Sequence, residues 1–209
     1  MIQKLAWQGK IVSVQPRIRL LRSFDQRSHS YLGYVLRIDG VIDDEARVFT
    51  VGIGEAAQAK HSFRAGDVVS GVCVAVADPE RDPVEFYKAS QLRLLGRETR
   101  PDAPAPPWQG IAPALEDYRA RGHRRLAART YDGKCIACMW GCRMAVEMIL
   151  DHWNPARRRY RSETFCYGPL SCPLYKPGPP RTVPGRQGMT WVEEDWIDED
   201  ATSHRGPDE

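Results

Sequence analysis

Along the first hundred residues, apolar side chains recur at every second position. Residues 10–22 alternate weakly, and Pro16 predicts a bulge or an edge position there. Residues 30–39 put Leu32, Tyr34, Leu36 and Ile38 on one face and stop at the turn pair Asp39-Gly40. Residues 47–54 do the same with Phe49, Val51 and Ile53. Residues 55–63 are short, rich in alanine and helix-prone. After a turn at 64–67, residues 68–77 are nearly all apolar or small, which predicts a strand buried on both sides. Residues 84–95 supply a last strand.

Three strands, a short helix and two more strands is the order of an OB-fold, the small Greek-key β-barrel. The resemblance is one of architecture over about residues 8–96, with no diagnostic motif, and an SH3-like or other small barrel fits the same pattern. Closure into a barrel removes the strand edges that an open five-stranded sheet exposes. OB-folds bind on the outer face of strands 2 and 3. Parity puts Tyr31, Gly33, Val35 and Arg37 on that face, joined by Thr50 and Gly52, while Arg17 and Arg19 extend a basic track on strand 1.

The second half has a different pattern. Four prolines within residues 101–107 predict a semi-rigid extended linker. Residues 114–129, rich in Arg and Ala and preceded by Pro113, read as a helix. Residues 140–153 read as another, because Cys142, Val146, Ile149 and Trp153 form one helical stripe that Asn154-Pro155 ends. Residues 168–188 are rich in Pro and Gly and need some other source of order. The expected division is an OB-like five-stranded β-barrel (1–98), a proline-rich linker (99–110), a basic cysteine-rich metal-binding module with one or two helices (111–190) and an acidic tail (191–209).

Five of the six cysteines fall in two short stretches: Cys135, Cys138 and Cys142 in KCIACMWGC, and Cys166 and Cys172 in FCYGPLSCP. A two-residue gap lets a tight turn aim two sulfurs at one point. Two such stretches can close a loop-rich segment around an inorganic centre. Buried or free thiols are the plain alternative, since cysteine is among the most buried residue types. Zinc takes four ligands, and Cys135, Cys138, Cys166 and Cys172 supply two pairs. A [4Fe–4S] cluster also takes four thiolates, and the run ending at Cys142 plus one late cysteine suits it slightly better. If Cys142 is a core residue, zinc gains. His123 and His152 are possible substitute ligands, and the lone Cys73 reads as core. Loss of the metal is expected to unfold residues 130–190 and leave the barrel intact.

Composition supports a folded chain: 42% of its 209 residues are hydrophobic and 27% charged. The net charge of +3 hides an uneven distribution. Residues 1–100 carry +3, residues 101–190 carry +7 and residues 191–209 carry −7. A basic middle suits a polyanion partner. Arg124 and Arg125 precede the first cysteines, and Arg157, Arg158, Arg159 and Arg161 with Tyr160 precede the last two. Guanidinium groups bind phosphate through two donors at once, and tyrosine offers a flat face to an unpaired base. A solvated charged surface gives the same pattern. The acidic run 193–200 with its tryptophans reads as a tail partly docked on a partner or on the basic surface.

No uncharged apolar stretch of about 20 residues is present, so no membrane span is expected. Residues 1–10 lack a leader pattern, which makes the expected compartment cytoplasmic and favours thiols over disulfides. Phosphate-binding glycine loops, serine elbows and HExxH motifs are missing. The expectation is a non-enzymatic nucleic-acid-binding protein, acting on single-stranded or structured DNA or RNA. An iron–sulfur protein with redox or repair chemistry on nucleic acid is the alternative, and a protein-binding adaptor using the barrel and acidic tail is a third reading.

Overall fold

The computed structural model describes residues 3–24, 27–98, 106–151, 153–192 and 196–207. The order begins with strands β1 (Leu5–Arg22), β2 (Arg27–Ile42) and β3 (Glu45–Ile53), helix α1 (Glu55–His61), and strands β4 (Val68–Ala75) and β5 (Phe86–Gly96). Helix α2 (Leu115–Arg121), the short strand β6 (Arg124–Arg125) and a single turn α3 (Ala128–Thr130) follow, the last running into a π-helical turn at Tyr131–Cys135. Strands β7 (Gly141–Ile149), β8 (Arg158–Cys166), β9 (Thr182–Pro184) and β10 (Thr190–Val192) and helix α4 (Trp196–Thr202) complete the chain.

The protein is mostly β, and its first five strands form a ring of pairings, β1–β2–β3–β5–β4 and back to β1. Only the β3–β5 contact is parallel. Strand β1 makes the ring possible by its length. It pairs with β2 from Trp7 to Arg22, with β4 over Leu5 to Lys10, and with β7 over Arg19 to Arg22. Its register against β2 shifts between Ile11 and Ser13 and between Arg17 and Ile18. These two irregularities flank Pro16 and let one strand bend into both neighbourhoods. Asp43 and Asp44, both at positive φ, join β2 to β3 through the tight turn that hairpin twist favours.

The alternation predicted for β2 holds from Tyr34 to Ile38, whereas Leu32 is half-buried and residues 49–53 of β3 are buried on both faces, with Thr50 and Gly52 covered as well. Tyr34, Leu36, Ile38, Phe49, Val51 and Ile53 are all buried, in one core with Trp7, Ile11, Ile18 and Phe63. Burial of each large side chain contributes about 1.5–3 kcal/mol. Strand β4 differs from expectation: Val69, Gly71 and Cys73 are buried, but Val68, Ser70 and Val72 are half-exposed. Small and β-branched residues satisfied the pattern of a doubly buried strand, yet only one face of β4 has a core to enter.

Residues 140–153 are not a helix; most of them form β7, paired with β1 on one side and β8 on the other. Cys142, Met144, Val146 and Met148 also fall at a period of two, and all four are buried in the core shared with the ring. An apolar stretch read alone satisfies both periods. The open edge of β1 selects the strand. Ile149 is half-exposed and Trp153 lies beyond the strand, 90% exposed. The helix expected at 114–129 shortens to α2, because Gly122 turns the chain at positive φ and β6 then pairs with β8. Eight strands, β1 to β8, therefore form one continuous sheet across the linker. Linker residues 101–105 lie outside the described residues.

Beyond α4 the chain returns to α2. Arg205 donates to the Arg121 and Gly168 carbonyls, and the Ser171 amide donates to the Pro207 carbonyl. The acidic residues 193–195 lie outside the described set. No helix among the described residues is long and apolar enough to cross a membrane.

Candidate metal centre and basic surfaces

The two cysteine stretches meet because β7 and β8 are antiparallel partners. Gly141, just after the first stretch, stands opposite Cys166, the last residue of β8. Cys135 closes the π-helical turn, and the Cys138 amide donates back to the Cys135 carbonyl at 3.0 Å. Cys172 ends a turn in which its amide donates to the Pro169 carbonyl at 3.1 Å. Cys135, Cys138 and Cys166 are buried in one apolar cluster with Leu126 and Tyr131, against which Trp108, Trp140 and Tyr175 pack. Cys172 is half-buried beside them, and its charge, with those of Cys138 and Cys166, acts on Cys135.

Burial favours the neutral form of Cys135, Cys138 and Cys166. It pushes Cys135 up to about 12 and Cys138 up to about 11, and the sulfurs raise one another. Donors nevertheless point at the sulfurs. The Trp108 and Trp140 amides donate to Cys138, and the Gly168 amide donates to the Cys166 sulfur at 3.4 Å. Arg124 also hydrogen-bonds to Cys166. Such donors favour the thiolate, which apolar burial opposes. A divalent cation would settle the conflict, because coordination deprotonates a thiol outright. As they stand, no three Cys, His, Asp or Glu side chains among the described residues form a group ready to hold an ion. The chemistry of the donors still suits a metal: three of the cysteines share one apolar cluster, the fourth lies near enough for its charge to act on them, and N–H groups are directed at two of the sulfurs.

Cys142 stands apart. It is fully buried, and its Sγ donates to the Pro16 carbonyl at 3.4 Å. Its field falls on Tyr118, Tyr131 and Tyr167, not on the other cysteines. The three-cysteine run is thereby split, since a residue on a strand cannot follow Cys138 by one helical turn. Cys73 is in the core, as expected. His123 is buried elsewhere, 4.6 Å from His29 and edge-on to Phe165, with the Arg27 guanidinium donating to its Nε2. His152 lies outside the described residues.

The clamp on the first cysteine turn comes from the ring. Gln15 of β1 is buried, and its amide donates to the carbonyls of Cys135 at 3.0 Å and Cys138 at 2.8 Å. The Tyr131 hydroxyl donates to the other end of the same amide at 2.6 Å. Gly141 is required beside it: a Cβ there would lie 2.6 Å from the Cys135 carbonyl oxygen and 2.8 Å from the Gln15 nitrogen. Sequence reasoning missed Gln15. The only signal was a polar residue with no visible partner next to Pro16.

The basic residues do not form one track. Arg17 is engaged by Asp82, Arg161 by Glu163, and Arg158 by Glu147. Arg19 is half-buried against the β1–β7 pairing. Arg124 and Arg125 are buried and donate to main-chain carbonyls, Arg124 to Pro169 and Leu170 and Arg125 to Pro179. Arg124 also stacks on Tyr175 at 3.8 Å. Tyr31 lies under the Arg119 guanidinium, and Tyr160 donates to Glu147 under Arg81. Arg37 lines a small groove of about 230 Å³ with Gln15, Thr50, Tyr131 and Arg143. Arg157, Arg158 and Arg159 are exposed, and of these Arg158 is paired with Glu147. Compared with known protein families, curated proteins and solved structures, the chain matches none.

Proposed function

We propose that this chain is a non-enzymatic nucleic-acid-binding protein. Its ring is an OB-like barrel, and its second half is ordered by one zinc ion on the thiolates of Cys135, Cys138, Cys166 and Cys172. The observation that supports the metal assignment is that Cys135 and Cys138 of one stretch and Cys166 of the other share one apolar cluster, with amides aimed at Cys138 and Cys166. The strand order β1–β2–β3–β5–β4 supports the OB-like reading, since it closes as that barrel does. Zinc is favoured over an iron–sulfur cluster because Cys142, the residue that tipped the spacing toward the cluster, lies in the core. Bound zinc would supply structural cross-linking only, with four protein ligands and no open position for a substrate. The nucleic-acid partner rests on the +7 charge of residues 101–190 and on their exposed arginines and aromatics.

Elemental analysis of freshly purified protein tests the metal, with one equivalent of zinc expected. Iron with acid-labile sulfide would transfer the same four thiolates to a cluster, and an absence of any metal would remove the centre. Anisotropy of labelled single-stranded DNA and RNA tests the partner. Affinity should fall steeply between about 50 and 200 mM salt as counterions are released. An absence of binding at low salt overturns the nucleic-acid reading, and pull-down of proteins that survives nuclease and high salt would replace it with the adaptor.

A further inference from the structure

The face that OB-fold precedent nominates is poorly equipped here, because Tyr31 is covered by Arg119 and Arg17 is neutralised by Asp82. A different surface combines charge with exposed rings. At the far end of the β7–β8 hairpin lies a groove of about 510 Å³, lined by Met148, Leu150, Arg159, Tyr160 and the Glu163-paired Arg161 on one side and by residues 182–185 and 188–190 on the other. The hairpin register sets Arg159 opposite Met148, and the Leu150 amide donates to the Arg157 carbonyl. Parity therefore sends Arg157 and Arg159 to the face opposite Arg158 and Tyr160, which Glu147 occupies. Arg157 and Arg159 are exposed and have no ion-pair partner among the described residues. On the opposite side Trp191, 50% exposed, lies 4.8 Å from the Phe24 ring and against Gly185, and Met189 is 56% exposed. Trp153 sits at the hairpin tip, 90% exposed.

A tryptophan that is 90% exposed adds little to a core, and Arg157 and Arg159, without an ion-pair partner among the described residues, add positive charge to the same end of the hairpin. Flat π faces interleaved with phosphate-binding cations are what an unpaired nucleic-acid strand recognises. We infer that the groove between the β7–β8 hairpin and residues 182–190 is the seat of a single-stranded nucleic acid. Arg157 and Arg159 hold successive phosphates, and Trp153 and Trp191 stack bases. The inference rests on the nucleic-acid reading above and assigns the partner to one groove within residues 101–192.

The test uses the full-length protein and a labelled strand of about 16 nucleotides, the upper site size of one OB domain. The double variant R157Q/R159Q should lower the magnitude of the log–log salt slope by about 1.4, two phosphate contacts at about 0.7 each. W191A should weaken binding by about 5- to 150-fold, the range for one stacked base. Because W191A also removes a packing contact with Phe24, W153A is the cleaner variant. Its side chain is almost wholly in solvent, and the same loss is expected without a change in thermal stability. R37Q, on the β2–β3 face, should leave affinity and slope unchanged. If R37Q weakens binding and the hairpin variants do not, the groove is overturned while the nucleic-acid reading stands. If the unaltered protein binds no single strand at low salt, both fall.

Discussion

At the scale of single residues, the six cysteines divide by what surrounds each sulfur. Cys166 has an amide and a guanidinium directed at it, whereas Cys142 spends its hydrogen on a carbonyl inside the core. Cys166→Ser should therefore lose the metal, while Cys142→Ala should keep one equivalent and lose about 1–3 kcal/mol of stability. Elemental analysis paired with a urea titration separates the two. Gln15→Leu should leave the Cys135 and Cys138 carbonyls without their donor, at about 1–3 kcal/mol. It should also speed metal transfer to a chromophoric chelator, which a loss of bulk stability in the ring alone would not do.

At the scale of elements, the β1–β2 end and the β6–β8 end of the sheet are joined by a pair of histidines, His29 half-buried and His123 buried. Burial and the charges of Arg27 and Arg22 pull His29 down to about 4, and burial with the His29 and Arg27 charges holds His123 well below its usual value. The unfolded chain, with histidines near 6.5, binds more protons than the fold between these values. Stability contributed by the neutral pair is thus complete above about pH 6.5 and declines as pH falls toward 4, by up to about 1.4 kcal/mol per pH unit for each ring. Urea midpoints at a series of pH values should show this slope, and H29F/H123F should flatten it. Strand β7 carries a second expectation. Because residues 145–148 pair with 19–22, amides in both segments should exchange with deuterium at one common rate limit. Independent exchange would mean that the β7–β8 hairpin opens without the ring.

At the scale of the whole molecule, the shared sheet changes what metal removal should do. A cysteine module hung on a linker would unfold as a unit. Here β7 and β8 are secured by β1, and Cys142, Met144 and Val146 belong to the core of the ring. On the proposed zinc reading, the metal would be needed instead by the loops that carry its ligands. Chelation should expose residues 131–140 and 166–178 to protease and leave the strands between them intact, as read by mass spectrometry of the fragments. Arg205 and the Pro207 carbonyl hold the second of those loops, at Gly168 and Ser171. Deletion of residues 203–209 should therefore loosen the metal even though no ligand is removed.

The strands of the ring were legible in the residues themselves, because alternation with one dry face leaves a local signature at Tyr34–Leu36–Ile38 and Phe49–Val51–Ile53. The five clustered cysteines were legible for the same reason, as a local spacing. What lay beyond reach was decided by partners far along the chain. The apolar run at 141–149 becomes a strand because β1 offers it an edge, Cys142 leaves the cluster because that strand points it inward, and Arg124 and Arg125 become internal props because β6 joins β8. Periodicity reports which side of an element avoids water. It does not say which neighbour keeps the water out, and that choice is made only when the chain closes on itself.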